Sequence, residues 1–512
     1  MRRRDLLAGS FLAASACSRA IPPRPNILLV IADDQSWKDA SAYGAKHVAT
    51  PAFDRIAREG VLFSNSFCAS PSCTPSRSAV LMGRHSWQQQ EAGVLYGAIP
   101  PKIPLYTHLL EDAGYATAYT GKGWAPGDWK SLGATRNPCG REYNAKKHAE
   151  PVRAGIEPSD YAENFRQFLN DKPKDKPFCF WLGSKEPHRV YDQGSGVRLG
   201  KKLEEAQVPE FLPDTPAVRS DLLDYYLEIE WYDQQLARTL KILDESGLLD
   251  NTLIVVTSDN GMPFPRAKAS LYDWGVHMPL AMRWGDKFDR GKVVDNLVSH
   301  TDFAPTFLEA AGVPRPDGMA GKSLLPMLRG VSADTSRDQV FAGMERHTMC
   351  RPDGATYPMR SIRTKEFLYI RNFAPDRWPT GGDFSSSNNT THGDIDGGPT
   401  KNALLDRQTQ AQFPAQVALC LGKRPAEELY DVVSDLGQLR NLAADPRYAP
   451  QLAGLRARLE AYLQLTGDPR MAGQDPWQSY IYHQTSGYGA SFNTSLPESE
   501  RQAARTKVHK PE

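Results

Sequence analysis

The segment Asn26–Ala32 (NILLVIA) is an uninterrupted apolar run after a proline-rich start. A strand without polar alternation has no face to give to water. It must be covered on both sides, as strands are in a parallel sheet between helical layers. Comparable strand signals recur at 116–120, 177–182, 253–258 and 279–283. Helical patterns lie at 51–60, 218–246 and 301–311. This alternation predicts an α/β sandwich around a large, mostly parallel sheet spanning 21–330.

The pattern changes after Gly330. Residues 358–372 and 428–432 read as strands of a smaller sheet, and 450–465 as a helix packed on it with Pro450 in its first turn. A smaller C-terminal α+β subdomain is therefore expected over 331–466. Between its strands, 381–398 is rich in Ser, Asn, Thr and Gly and reads as a surface loop. The tail, 467–512, lacks periodicity and is expected to wrap the surface or to be partly disordered.

Lys and Arg total 61 against 60 Asp and Glu, which leaves no global field to hold nucleic acid. The first twenty residues stand apart. Three arginines at 2–4 precede a short apolar run of small residues that ends at Cys17. This is the pattern of an export signal, too short to span a bilayer. Arg3-Arg4-Asp5-Leu6-Leu7 resembles a twin-arginine signal, and Ala14-Ser15-Ala16-Cys17 resembles a lipoprotein cleavage site. The expectation is an exported, periplasmic protein, free, secreted or lipid-tethered. The seven cysteines form neither a zinc pattern nor a dense disulfide framework.

Cys73-Thr74-Pro75-Ser76-Arg77, closing at Gly83-Arg84, carries the chemistry. Thr74 suits a helix cap, Pro75 the first turn and Gly83 the end. Cys73 then lies just before a helix N-terminus, where N–H groups favour an anion, and Arg77 returns one turn later with a fixed charge. Asp33-Asp34 directly follow the Asn26–Ala32 strand, and Asp259-Asn260 follow the strand at 253–258. Both pairs thus fall at carboxyl ends of parallel strands, where open α/β sheets place their sites. Three carboxylates and an amide oxygen suit calcium first and magnesium second, since His and Cys ligands for zinc are lacking.

Cys-x-Pro-Ser-Arg with a glycine ten residues after the cysteine resembles the modification signature of the type I, formylglycine-dependent sulfatases. That resemblance implies an alkaline-phosphatase-like sandwich, oxidation of Cys73 to formylglycine by a maturing enzyme, and Cys73 as a metal ligand beside Asp33, Asp34, Asp259 and Asn260. In that family the aldehyde hydrates to a diol, one hydroxyl of which attacks sulfur while the other helps to expel sulfate. The family's catalytic cations match Arg77, Lys122 in Thr120-Gly121-Lys122, His188 in Pro187-His188, and Lys268 before Leu271-Tyr272. Many members carry a His two residues after the lysine of the Gly-Lys motif. Trp124 stands there, which leaves the general base open and counts Trp124 among substrate contacts.

Within the family, Phe211-Leu212-Pro213-Asp214-Thr215-Pro216, Ser258 to Pro265 and Tyr357-Pro358-Met359-Arg360-Ser361 resemble the N-sulfoglucosamine sulfohydrolases and their bacterial relatives. The partner so implied is a sulfated oligosaccharide or polysaccharide, N-sulfated or O-sulfated. Glu186 and Arg189 around His188, and Glu345 and His347 further on, are candidates for reading the sugar. Two other functions compete: a phosphodiester or phosphonate monoester hydrolase of the same superfold, and a catalytically impaired protein that binds sulfated glycans.

Overall fold

The computed structural model describes residues 24–150, 152–330, 334–382, 392–486 and 488–507. The export signal read at 1–20 lies outside them. Eight strands form the main sheet. From one edge they run Lys292–Val294, Val61–Phe63, Leu280–Arg283, Thr252–Ser258, Asn26–Ala32, Phe178–Gly183, Ala116–Gly121 and Arg141–Glu142. Only Leu280–Arg283 pairs antiparallel to its neighbours. Asn26–Ala32 is central, parallel to both Phe178–Gly183 and Thr252–Ser258.

All seven residues of that central strand are buried, and successive side chains serve opposite faces. Ile27, Leu29 and Ile31 pack toward Phe303, Phe307 and Tyr106 on one side. Leu28 and Val30 pack toward Phe53, Phe165 and Leu240 on the other. The unbroken apolar run is thus explained by helices on both faces. The helix Pro216–Glu245 covers the second face, capped by Thr215 Oγ1, which accepts from the Val218 N–H.

The smaller sheet is four antiparallel strands, Val340–Met344, Met359–Arg363, Phe367–Asn372 and Glu427–Asp431. The helix Ala449–Leu465 covers it through Leu455, Leu459 and Leu463, which pack with Ile362, Tyr369 and Leu429. Its opposite face, with Met359 and Leu368, packs on Phe67, Leu271 and Met278 of the larger unit.

One expectation needs correction, and a second is made specific. Part of the segment read as surface loop is buried: His392, Asp394 and Ile395 lie inside, and the helix Pro399–Leu405 after it packs on Pro216–Glu245. The tail also returns to the body. Asp468, Trp477 and Tyr482 are buried, and the His483 N–H donates to the Tyr96 carbonyl at 2.8 Å. Periodicity could not reveal either, because both segments are held by individual side chains rather than by an amphipathic face.

Candidate active site

The carboxyl ends of the two central strands build the floor of the site. At Asp34 the backbone turns to φ 74°, a conformation Asp tolerates better than most residues, so strand alternation stops. The Asp34 N–H then donates to Asp259 Oδ1 at 3.1 Å, and Asn260 Nδ2 donates to Asp34 Oδ1 at 2.6 Å. The two pairs read from the sequence therefore meet, and all four side chains are buried.

Cys73 opens the helix Cys73–Met82, with Ser72 rather than Thr74 in the capping position. Thr74 instead donates its hydroxyl to the Pro126 carbonyl. Gly83 ends the helix at φ 64°, returning its N–H to the Ala79 carbonyl. The Cys73 Sγ lies 3.5 Å from Asp33 Oδ1. Burial, aided by Asp33, pushes this thiol well above its ordinary pKa despite Lys122 and Lys268. Such a shift disfavours the thiolate, which is the nucleophilic form of cysteine.

Arg77 does not reach the cleft as expected. It is fully buried beneath Cys73. Its Nε donates to Asp259 Oδ2 at 2.8 Å, and Nη1 to the Lys122 and Gly123 carbonyls at 2.8 and 3.0 Å. Nη2 stands 3.7 Å from Asp33 Oδ1 without a hydrogen bond. Arg77 thus fixes the acidic floor and the turn that carries Lys122.

Lys122 and Lys268 flank the floor. Lys122 Nζ lies 2.5 Å from Asp33 Oδ2, and Lys268 Nζ lies 2.7 Å from Asp34 Oδ2. Burial alone would raise the Asp33 pKa, but Lys122, His188, Arg77 and Lys268 hold it well below the usual carboxylate range. Burial and the charge of Asp33 push Asp259 the other way. His188 lies across the floor, with Nε2 3.8 Å from Asp34 Oδ2. Its Nδ1 lies 2.6 Å from the Arg189 carbonyl, which fixes the proton on Nδ1 and leaves Nε2 for the cleft.

The residues present fit a hard cation. Asp33, Asp34 and Cys73 bring ligand atoms within 4.8 Å of one another. Asn260 Oδ1 is a buried acceptor without a hydrogen-bond partner. A buried oxygen in that state calls for a cation or a donor, and the oxygens of Asp33, Asp34, Asp259 and Asn260 beside the Cys73 side chain suit calcium or magnesium.

A cleft of about 610 Å³ opens above this floor, with Cys73, Lys122, His188 and Lys268 along its base and His347 on its wall. His347 Nδ1 pairs with Ser72 Oγ at 2.8 Å, next to Cys73. The other expected sugar contacts are not free to read a ligand. Glu186 is buried, accepting from Ser184, Tyr161 and the Glu157 N–H at 2.5, 3.0 and 2.9 Å. Arg189 borders the cleft, but its guanidinium is committed to Asp221 at 2.8 and 2.7 Å and to the Pro263 carbonyl at 3.0 Å. Glu345 is buried between Arg360 and Arg470. Trp124 packs in the core beneath the sheet, its Nε1 donating to Ser78 Oγ at 2.8 Å. Neither Glu345 nor Trp124 lines the cleft.

Among the further residues that line it are Asp396, Tyr96, Tyr482 and Gln484. Asp396 Oδ2 accepts from Lys268 Nζ at 2.9 Å, and the Tyr96 and Tyr482 rings meet edge to face at 5.0 Å. Asp396 comes from the segment that reads as loop, Tyr482 and Gln484 from the tail, and Tyr96 from the stretch after the Cys73 helix, where no pattern marked them.

The family model described as Sulfatase matches residues 25–313, and a second, described as N-sulphoglucosamine sulphohydrolase, C-terminal, matches 266–379. The N-sulphoglucosamine sulphohydrolase of Homo sapiens is 31% identical over 490 residues, covering 88% of this chain and 92% of that protein. An ulvan-active sulfatase of Formosa agariphila is 29% identical over 458 residues, covering 88% of this chain and 82% of its own. The fold is shared with a structure described as a complex with its substrate D-glucosamine-2-N,6-O-disulfate, at 20% identity and a TM-score of 0.63, covering 88% of this chain and all (100%) of that one. It is also shared with the phosphonate monoester hydrolase of Agrobacterium radiobacter, at 18% identity and a TM-score of 0.62, covering 86% and 96%. The chain belongs to the sulfatase family and is a hydrolase of sulfate esters or sulfamates.

Proposed function

We propose that the chain removes sulfate from a sulfated saccharide, with formylglycine at position 73 and a calcium ion held by Asp33, Asp34, Asp259 and Asn260. The observation that carries this reading is the convergence on one floor of Cys73, four oxygen ligands, the ammoniums of Lys122 and Lys268, and the imidazole of His188. Calcium, or magnesium in its place, would supply Lewis acidity toward a sulfate oxygen. Formylglycine would supply an oxygen nucleophile in place of the thiol. It requires a maturing enzyme as a partner in the producing cell.

The chain's own residues do the rest. Lys122 and Lys268 grip the sulfate oxygens and counter the charge that grows on them. Arg77 keeps Asp259 and the Lys122 turn in register from below. His188, with Nδ1 engaged, offers Nε2 to protonate the departing oxygen or nitrogen. Saccharide substrates are supported by the names of the relatives, one acting on ulvan and another on N-sulphoglucosamine. The basic and apolar start of the sequence supports export to the periplasm before the reaction takes place.

A two-metal phosphoryl-transfer site is the competing arrangement, because Asp34, His188 and Asp396 also bring ligand atoms within 4.8 Å of one another. Lys268 weighs against a second metal there. Its ammonium bridges Asp34 and Asp396 at 2.7 and 2.9 Å, so a fixed positive charge already stands between those carboxylates. With formylglycine confirmed, kcat/KM for sulfate monoesters and sulfamates should exceed that for phosphonate monoesters and phosphate diesters by on the order of 100-fold or more. The reverse order would overturn the proposal.

A further inference from the structure

Asp396 is the one carboxylate of the cleft wall that neither the acidic floor nor a structural ion network accounts for. Its side chain is about a quarter exposed (24%) and lines the cleft, and among the described residues only Lys268 donates to it. Both sides of its segment are pinned. Asp394 accepts from the Thr348 N–H and hydroxyl, each at 2.7 Å, and from Arg351 at 2.6 Å. Lys401 donates to the His392 and Ile395 carbonyls at 2.8 and 2.9 Å. On the far side, Thr400 donates its N–H and hydroxyl to Asp221 at 3.1 and 2.6 Å, the same carboxylate that clamps Arg189 next to His188. Asp396 and His188 are therefore held in a fixed relation through Asp221.

The placement has a chemical consequence. On the proposed function, a substrate would set its sulfur over Cys73 between Lys122 and Lys268 and its leaving atom toward His188, whose ring nitrogen lies within 4.8 Å of an Asp396 carboxylate oxygen. The ring carbons beside that leaving atom would then pass Asp396. A carboxylate there accepts from a hydroxyl or an ammonium and repels an anion. Resting on the sulfatase reading, we propose that Asp396 selects the substrate by accepting a hydrogen bond from a hydroxyl or ammonium on the sugar next to the sulfate being cut, and that it refuses a second sulfate in that place.

The test is a cycle between this residue and the substrate group. The probes are N-sulfoglucosamine with its 3-deoxy analogue, glucosamine 6-O-sulfate with its 4-deoxy analogue, and N-sulfoglucosamine carrying a second sulfate at O3. Wild type, Asp396→Ala and the near-isosteric Asp396→Asn are compared, with formylglycine content matched. The wild type should lose roughly 10- to 100-fold in kcat/KM, mainly through KM, when the hydroxyl is removed from the sugar it cleaves. Asp396→Ala should lose little more on the same change, and Asp396→Asn should narrow the gap between singly and doubly sulfated sugars. Binding of the same sugars to the Cys73→Ala background should show the same coupling. If Asp396 only steadies Lys268, both variants will lower kcat on parent and deoxy sugars by equal factors, and the proposal falls while the sulfatase reading stands. A wild type that cleaves none of these sugars overturns both for hexosamine substrates.

Discussion

At the level of single residues the site is a balance of buried charge. Two ammoniums face three carboxylates on a largely buried floor, so removing one cation has two effects. It costs transition-state stabilisation, and it leaves a buried carboxylate uncompensated. Lys122→Ala and Lys268→Ala are each expected to lower kcat by about 100- to 1,000-fold, measured by steady-state sulfate release. An unchanged kcat in either variant would remove that lysine from the chemistry. Exhaustive chelation should abolish turnover and lower the melting temperature, and calcium or magnesium should restore both where zinc does not. Restoration by zinc alone would contradict the hard-ion assignment.

Much of this floor was legible in the sequence. Asp33-Asp34 and Asp259-Asn260 each follow a wholly buried run with an apolar centre, and such a run fixes where a parallel strand ends. Asp396 was not legible, because its place depends on Asp394 meeting Arg351 and Thr400 meeting Asp221, contacts across long stretches of chain that local pattern does not encode.

At the level of elements, the clearest difference from the sequence reading is what the charged residues of the small sheet do. Glu345 is fully buried, 2.6 Å from Arg360, and Arg360 is 2.7 Å from Asp468 of the tail. Glu345-Arg346-His347 reads equally well as a ligand-binding cluster or as an ion network, and only the fold separates the two. The cluster divides: Glu345 ties the strand Val340–Met344 to the tail, while His347 reaches Ser72 at the head of the Cys73 helix. Glu345→Ala should therefore destabilise the protein by about 3 kcal/mol, because Arg360 and Arg470 both lose a buried carboxylate partner. KM of the folded fraction should change little. Thermal unfolding and steady-state kinetics together check this, and a raised KM at unchanged stability would return Glu345 to the cleft. The Trp124 departure resolves in the same way. The indole fills the core under the sheet and holds Ser78, so the missing family histidine has no stand-in at that position.

For the whole molecule, the long helix Pro216–Glu245 couples fold stability to pH. Glu228 on it is buried with neither carboxylate oxygen hydrogen-bonded. Burial and the nearby Glu186 raise its pKa from 4.5 to about 8, with Arg153 opposing. Between those values the folded protein holds a proton that the unfolded chain releases, so this group's contribution to stability declines as pH rises through the window. Glu228→Gln should flatten that decline and leave the variant more stable than wild type at pH 8, by about 1–3 kcal/mol. Parallel stability curves for the two proteins from pH 5 to 8 would refute it.

The central claim is that position 73, oxidised from cysteine, is the reacting group of a sulfatase. It is tested most directly by measuring sulfate release from defined sulfated saccharides by wild type and Cys73→Ala. Both would be co-expressed with a maturing enzyme, and the mass of the peptide containing residue 73 determined in each. Release by the wild type in proportion to its formylglycine content, with none from Cys73→Ala, is the predicted result. Equal release by the two proteins, or none from a wild type shown to be fully converted, would contradict it.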